Sequence, residues 1–345
     1  MKLTMEQVII KTVDTPKCMT CASEGTFIYK DLNDRYFGES KGWNLKKCNN
    51  PKCGLIWLDP MPAKEEIWKA YVAYYTHSGQ KKSLLDFSFL EKPYQNIQYG
   101  YYSELSFFNK MTGYLVYLFP ILRNKFDFNL LYLPCVKSGK ILDFGCGNGW
   151  LLDNLKSAGW EAYGLDFDPK AIEFCNSKGL KAALGDIGSQ NYPENYFDAI
   201  TINHVIEHVH EVDQLIKDAF KVLKKGGKLI IATPNTDNWL HKVYKKFWFQ
   251  LDPPRHLHIF NIDNLEVVVR RNGLEIERSF SSVRMDAWTA IVSRAITRKG
   301  TFRIGFEKKK LSDLMVGLFY QLISFILTRF NKKKGGEVII IAYKK

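Results

Sequence analysis

The feature that most constrains this chain is an alternation that runs from residue 139 to residue 283. The apolar strand candidates KILDFG, EAYGLDFD, AALGD, FDAITIN, KLIIATP and LEIERSFSSV recur there, and helical stretches fit between most of them. Strands spaced in this way need crossover connections, so the pattern predicts an α/β fold with a parallel, doubly wound, Rossmann-like sheet. A last strand candidate, EVIIIAYKK, follows a detour over residues 284–334.

The first strand of the series runs directly into Gly145-Cys146-Gly147-Asn148-Gly149, and a helical stretch begins near Trp150. Glycines at such a turn let the backbone bend sharply and approach a ligand at a helix N-terminus. A dinucleotide site would place a third glycine where Trp150 stands, and the chain has no phosphate loop of the G-x-x-x-x-G-K-[ST] kind. The second strand ends in Gly164-Leu165-Asp166, whose carboxylate suits the two hydroxyls of a ribose. The third ends in Gly185-Asp186-Ile187, which offers an acceptor for an adenine amino group beside an apolar contact. Together the three strand tips describe an adenosine ligand without phosphates.

The segments DFGCGNG, GLDFD, GDI, FDAITINHVIEHV, LKKGGKLIIATPN and DPPRHLHIF resemble, in order and spacing, class I S-adenosylmethionine-dependent methyltransferases. The type they resemble is the ubiquinone-biosynthesis and sugar-modifying branch. The resemblance covers about residues 139–283, and it assigns EVIIIAYKK to the final antiparallel strand of that fold. It implies that Asp143, Gly145, Gly147 and Gly149 surround the methionine part of S-adenosylmethionine. Asp166 would hold the ribose and Asp186 the adenine, with Phe167 and Ile187 flanking the rings and Asn203 facing the cofactor.

Seven cysteines are present, and four of them form two tight pairs, Cys18-Met-Thr-Cys21 and Cys48-Asn-Asn-Pro-Lys-Cys53. This spacing fits two short loops that clamp one tetrahedral Zn2+ through four thiolates, a closed and therefore structural site. The plainer reading is a reduced thiol pair with two incidental cysteines. CNNPKCGLIWLDPMP also resembles the zinc-binding N-terminus of some bacterial methyltransferases. Cys135, Cys146 and Cys175 read as ordinary reduced residues. The start, MKLTMEQVIIKTVD, has no apolar run followed by a small-residue cleavage site, so no signal peptide is expected. The expected organisation is a zinc-ribbon-like subdomain over 1–62, a helical aromatic-rich cap over 63–133 and the methyltransferase domain over 134–345. The cap holds 18 Phe, Tyr or Trp between Trp68 and Tyr132. They read as a helical core packed on the sheet, with a lid stacking on a sugar or quinone as the other reading.

Six of the seven histidines fall between residues 204 and 258. Histidine removes protons near neutral pH, so His256, His208 and His204 are the candidates for a general base in methyl transfer to a hydroxyl. His210 and His241 read as solvated, and Arg255 as either an anchor for an acidic substrate group or a surface ion pair. His204-Val-Ile-Glu207-His208 also spells the inverted zinc-protease motif, which needs a long active-site helix in another fold. A catalytic divalent ion is a milder reading, because some related enzymes bind one through a Glu-x-x-Glu-His cluster. His204 stands where the first of those glutamates would be.

Lys and Arg total 49 against 36 Asp and Glu, a formal charge of +13. Residues 240–345 carry 21 of the basic and nine of the acidic residues, so nearly all of the excess lies there. Lys308-Lys309-Lys310 and Lys332-Lys333-Lys334 bracket LSDLMVGLFYQLISFILTRF. On a helix, Gly317, Gln321, Ser324 and Thr328 share one narrow face and the rest is almost wholly apolar. Two readings stay open: a peripheral contact with an anionic membrane through 308–334, and a lid helix buried against the domain. The expected acceptor is a sugar, a glycan intermediate or a lipid-linked small molecule. An RNA methyltransferase and a non-catalytic S-adenosylmethionine-fold binding protein are the alternatives. Nucleic acid is not the expected partner, because the fourth strand lacks the Asn/Asp-Pro-Pro-aromatic sequence of many base methylators. The expected location is the cytoplasm, with peripheral contact at the inner face of the membrane.

Overall fold

The computed structural model describes residues 9–35, 42–71, 87–302 and 311–345. The N-terminal part forms five short strands, β1 (Thr12–Val13), β2 (Gly25–Leu32), β3 (Trp43–Cys48), β4 (Ile56–Leu58) and β5 (Met61–Pro62). The helices α1 (Glu91–Tyr99), α2 (Phe107–Thr112) and α3 (Pro120–Asn129) follow. Then comes the alternating series: β6 (Lys140–Phe144), α4 (Trp150–Ser157), β7 (Glu161–Asp166), α5 (Pro169–Ser177), β8 (Lys181–Leu184), β9 (Phe197–Asn203), α6 (Val212–Val222) and β10 (Leu223–Pro234). The remainder is α7 (Trp239–Tyr244), β11 (His258–Ile259), α8 (Ile262–Arg271), β12 (Leu274–Ser282), α9 (Asp286–Lys299), α10 (Leu311–Phe330) and β13 (Glu337–Lys344).

Seven strands form the central sheet in the order β12-β13-β10-β9-β6-β7-β8. Pairing is parallel from β8 through β10, whereas β13 runs antiparallel to both β10 and β12. Helices cover both faces, so central strands read as unbroken apolar runs. Val338 to Ala342 of β13 are buried throughout, with no inside–outside alternation. The chain leaves β6 toward β7 and β8, then returns to β9 on the other side. The strand order therefore reverses between β6 and β9, which opens a crevice at their C-terminal ends. The glycine turn after β6 and Asn203 at the end of β9 flank that crevice.

The N-terminal strands do not close on themselves. Their four-stranded sheet has the order β11-β4-β3-β2, and its edge strand β11 comes from the DPPRHLHIF segment. His258 pairs with Trp57 and Ile259 with Ile56, while the Leu58 N–H donates to the Leu257 carbonyl at 3.1 Å. The side chains of Cys18, Cys53, Leu55 and Trp57 join Phe260, Ile262, Leu265 and Val268 in one buried cluster. Both ends of α8 grip the cysteine loops. Asn261 and Asn264, which form a reciprocal cap on α8, each donate to the Cys53 carbonyl at 3.0 and 2.9 Å. At the other end Arg271 donates to the carbonyls of Thr20 and Met19.

Arg255 ties the same two parts together and corrects both expectations for it. It is neither a substrate anchor nor a surface pair, because it is fully buried. Its five N–H groups meet both carboxylate oxygens of Asp252, both of Asp34 and the Ala70 carbonyl, at 2.6–3.3 Å. Burial works against its charge, but the two carboxylates outweigh it and hold the guanidinium pKa well above the ordinary value.

The aromatic block divides. Tyr94, Tyr101, Phe126, Phe128 and Tyr132 are buried, in keeping with a helical core. Phe107, Phe108, Tyr114, Leu118 and Phe119 stand in solvent, so the expectation of a block wholly packed on the sheet does not hold there. His241 and His210, expected to be solvated, are half-buried and hydrogen-bonded. His241 stacks on Trp248 and bonds Tyr29 and the Thr236 carbonyl, and His210 Nε2 lies 2.8 Å from the Pro62 carbonyl.

Removing one partner of a buried, hydrogen-bonded ion group leaves uncompensated charge. Arg255→Met, which strands Asp34 and Asp252, is therefore expected to lower stability by about 3–5 kcal/mol, read as a shift in the urea unfolding curve. A loss under about 1 kcal/mol would show that the buried charges are not coupled in this way.

Candidate functional site

Gly145, Gly147 and Gly149 all have positive φ, at 79, 52 and 72°. A Cβ at Gly145 would lie 2.1 Å from Val205 Cγ2, and one at Gly149 would meet Leu180 and Cys175 inside 3 Å. At Gly147 a Cβ would meet nothing within 4 Å, so this glycine faces open space. The first and last glycines are thus required by packing, and the middle one leaves room for a ligand. The Gly147 N–H donates to Asp166 Oδ2 at 2.8 Å and the Asp168 N–H to Oδ1 at 2.9 Å, which joins the second strand tip to the turn. The Gly185 N–H in turn donates to the Asp166 carbonyl at 2.9 Å, and this brings in the third tip. Asp143 is buried under the turn, where burial and the nearby Asp166 push its pKa up to about 7 against a 2.8 Å hydrogen bond from Thr201.

The strand tips bring together the residues expected at the cofactor, with two exceptions: Asp143, 2% exposed and bonded to Thr201, and Ile187. Phe167 is 61% exposed, edge-on to Phe144, and free to contact a ring. Asp186 is exposed and holds the Ser189 N–H at 2.7 Å. Ile187, by contrast, is only 2% exposed and belongs to the sheet's core cluster, so it has almost no surface to offer an adenine. Asn203 Oδ1 is buried with no hydrogen-bond partner among the described residues. An orphaned acceptor beside an open glycine suits a ligand carrying an ammonium or hydroxyl donor.

Beside this crevice lies a cavity of about 700 Å³. The cap contributes Glu91, Lys125, Phe128 and Asn129; Trp150 and Asn154 come from α4, and Arg284, Met285 and Trp288 from the approach to α9 and its first turn. Asn203, His204, Glu207 and His208 from the end of β9 and the turn after it, and Phe249, Gln250, Asp252 and His256 from the histidine loop, complete the wall. The three candidate histidines therefore share one chamber but occupy different states. His204, with φ 53°, has Nε2 at 2.7 Å from Glu337 and Nδ1 at 3.3 Å from Glu207. Burial lowers its pKa, but the two carboxylates outweigh this and hold it up at about 9. With both nitrogens facing carboxylates and a proton on each, His204 has no lone pair for a substrate, which corrects its expected role as a base.

His208 and His256 are the opposite case. His208 Nδ1 lies 2.9 Å from the Arg255 carbonyl and 3.0 Å from the Tyr71 hydroxyl, and His256 Nδ1 lies 2.7 Å from the Gln250 carbonyl. A ring nitrogen facing a carbonyl must donate, so in the neutral ring the lone pair falls on Nε2. The rings meet edge to face at 4.7 Å. Burial, reinforced by His256, lowers His208 to about 4 and keeps it neutral. One ligand atom each from Glu207, His208 and His256 falls within 4.8 Å of the others, a spacing that fits a divalent ion. Glu207 is fully buried; its Oε2 accepts from Thr233 while Oε1 faces His204 Nδ1 at 3.3 Å. Residues 206–208 form a single 3-10 turn and not a long helix, so the zinc-protease spelling is accidental.

Glu207, Glu337, Arg284 and Tyr71 were not among the expected site residues. Glu337 is the first residue of β13, where nothing in EVIIIAYKK marks it as functional. It is buried, held down to about 2 by Arg284 and His204 against burial, and it orients His204 across the sheet.

The four paired cysteines converge elsewhere. Cys18 and Cys53 sulfurs are 3.7 Å apart, those of Cys21 and Cys48 are 3.4 Å apart, and all four lie within 4.8 Å. Tetrahedral zinc with Zn–S bonds of about 2.3 Å sets its sulfurs about 3.8 Å apart, so the group fits that ion. Each loop turns back just after its second cysteine, at Ala22 with φ 57° and at Gly54 with φ 66°.

Residues 115–279 match the family described as "Methyltransferase domain". The chain is 33% identical over 121 residues to the ubiquinone biosynthesis O-methyltransferase of Pelagibacter ubique, covering 34% of this chain and 48% of that protein. It is 29% identical over 119 residues to the enzyme of the same name from Proteus mirabilis, covering 32% and 46%. The matched region thus spans about half the length of these relatives. A solved S-adenosylmethionine-dependent methyltransferase from Mesorhizobium loti, 17% identical, superposes with a TM-score of 0.44 over 64% of this chain and 98% of that one. The glycine turn, the strand-tip carboxylates, the antiparallel last strand and the family match agree, and residues 115–279 of the chain carry a methyltransferase domain.

Proposed function

We propose that this protein transfers the methyl group of S-adenosylmethionine to an oxygen of a small acceptor held in the cavity. The observation that carries the reading is that the orphaned Asn203 and the bare Nε2 atoms of His208 and His256 open on one chamber, at the switch point of the sheet. Gly145 to Gly149 and Asn203 would receive the amino-acid part of the cofactor, Asp166 its ribose and Asp186 with Phe167 its adenine. Bound there, S-adenosylmethionine supplies an electrophilic methyl on a sulfonium.

Methyl transfer of this kind is an in-line displacement, and the protein's tasks are alignment and proton removal. The acceptor oxygen bonds to the methyl carbon as the S–CH3 bond breaks, its electron pair stays on sulfur, and the hydroxyl proton passes to His256 Nε2. The Gln250 carbonyl fixes the His256 tautomer, and the Arg255 carbonyl does the same for His208. His204 acts as a fixed cation in the wall. A volume of about 700 Å³ lies within the range of small-molecule sites. This supports a sugar, glycan intermediate or lipid-linked small molecule as acceptor over an RNA strand. A second reading has its own support in the Glu207–His208–His256 spacing. These residues would hold a divalent cation, which would lower the pKa of the acceptor hydroxyl. We further propose that Cys18, Cys21, Cys48 and Cys53 hold a structural zinc ion.

The test of the reaction offers radiolabelled S-adenosylmethionine, with the protein, to soluble, lipid-extractable and RNA fractions of host cells. Label is expected in a soluble or lipid-extractable small molecule, and His256→Ala should slow its appearance by about 10²–10⁴-fold. Label confined to RNA, or full rate in the variant, would overturn the reading; inhibition by a chelator after the zinc is accounted for would favour the second one. Asp166→Ala is expected to weaken S-adenosylmethionine binding by at least roughly tenfold, about 1.4 kcal/mol of lost hydrogen bonding, measured by calorimetry. Metal analysis should find one zinc per chain, with Cys21→Ser lowering both zinc content and unfolding midpoint. His204 is raised from 6.5 to about 9, so its contribution to stability is complete below pH 6.5 and is lost as pH rises through about 9. Unfolding midpoints measured across that window should fall more steeply in the wild type than in His204→Gln.

A further inference from the structure

Helix α10 is built inside out. Its buried residues are Gly317, Gln321 and Ser324, the small and polar stripe, whereas its leucines and phenylalanines face outward. Met315, Leu318, Phe319, Leu322 and Phe330 are 54–87% exposed. A helix on the surface of a water-soluble domain has the reverse pattern, with its apolar stripe toward the core.

The polar stripe is not turned inward by accident, because each member has a defined place. Gly317 lies against Ile291 and the Ala287 carbonyl of α9, where a Cβ would come within 2.8 Å of Ile291. Gln321 donates to the Val283 carbonyl at 3.0 Å, and the Trp239 indole N–H donates to Ser324 Oγ at 2.7 Å. These contacts fix the rotation of α10 about its axis and run antiparallel along α9. They commit the apolar side to face away from the protein. The helix has 20 residues, is long and apolar enough to cross a membrane, and is for the most part exposed.

Charge is placed at the two ends of this surface. The C-terminal end carries Arg329, Lys332 and Lys334, with Lys333 engaged by Asp263. The antiparallel packing brings the end of α9, with exposed Arg298 and Lys299, toward the N-terminal end of α10. Asp313 is the one carboxylate within the helix. The triplet Lys308-Lys309-Lys310 lies outside the described residues.

We propose that α10 is a monotopic membrane helix, lying in the plane of an anionic bilayer with its apolar side among the acyl chains and the basic groups at its ends among the lipid phosphates. An apolar helix face of this length next to basic clusters has the composition of an interfacial anchor. Docking by the polar stripe on α9 keeps the helix along the protein surface and does not let it cross the bilayer. Phe107, Phe108 and Leu118, in α2 and the segment after it, are exposed apolar groups of the same character. α9, which carries α10, contributes Trp288 to the cavity. The anchor therefore sits directly behind the acceptor chamber.

The test is sedimentation of the full chain with vesicles of phosphatidylcholine alone and of phosphatidylcholine mixed with phosphatidylglycerol; it does not depend on methyl transfer. Binding is expected on the mixed vesicles at low salt, weakening as salt is added. Leu318→Glu with Leu322→Glu, both on the exposed side, should reduce it by more than about tenfold with an unchanged unfolding midpoint. Lys332→Gln and Lys334→Gln should each weaken it by roughly fivefold. Absence of binding to the mixed vesicles, or equal binding to both vesicle types, would overturn the proposal. So would a concentration-dependent dimer that Leu318→Glu dissolves, because the apolar side would then belong to a second copy of the chain.

Discussion

The buried guanidinium of Arg255 is the interaction on which the site depends. Taking a charged group out of water costs several kcal/mol unless its donors are matched, and here all five are. The matching groups come from two distant parts of the chain, Asp34 in the N-terminal segment and Asp252 in the loop that carries His256. Because neither carboxylate can be left unpaired cheaply, the two parts are held in one register. The short pairing of β4 with β11 and the Leu257 N–H on the Glu207 carbonyl at 2.8 Å extend that register to the cavity wall. The cysteine cluster in turn fixes the loops that α8 grips at both ends. In this account the N-terminal segment is a brace for the histidine loop and not an appended module.

The cavity shows how fixed surroundings give like residues different chemistry. Three histidines lie within a few residues of Glu207 or its loop neighbours, yet one is locked as a cation and two keep a bare nitrogen. The difference is set by what faces Nδ1: a carboxylate at His204, backbone carbonyls at His208 and His256. Carboxylates hold a proton on the ring; carbonyls only choose which nitrogen bears it. That division puts the cation and the proton acceptors on separate parts of one wall.

Much of this was legible in the sequence, and the limits have physical causes. The sheet, its seven strands and the cofactor turn were readable because each is local: an apolar run, a glycine turn, a carboxylate at a strand tip. The inward stripe of Gly317, Gln321 and Ser324 was readable from helical spacing, although spacing could not say which side met the protein. The cysteine cluster was readable because its ligands come in close pairs. Arg255 was misread because burial is a property of the assembled fold and its partner Asp34 lies 221 residues away. His204 was misread for the same reason, since Glu337 is 133 residues distant and stands in a strand with no functional mark. The two-residue strand β11 is too short to carry a periodic signal and exists only because β4 is there to receive it.

The brace is tested most directly by hydrogen exchange at residues 252–260 in the metal-loaded protein and after zinc removal, with Asp34→Ala alongside. The account predicts that protection of the Leu257, His258 and Ile259 amides falls in both cases, while the amides of β6 and β9 keep theirs. Unchanged protection of the loop after loss of the ion and of Asp34 would contradict it, because the histidine loop would then hold its place without the N-terminal segment.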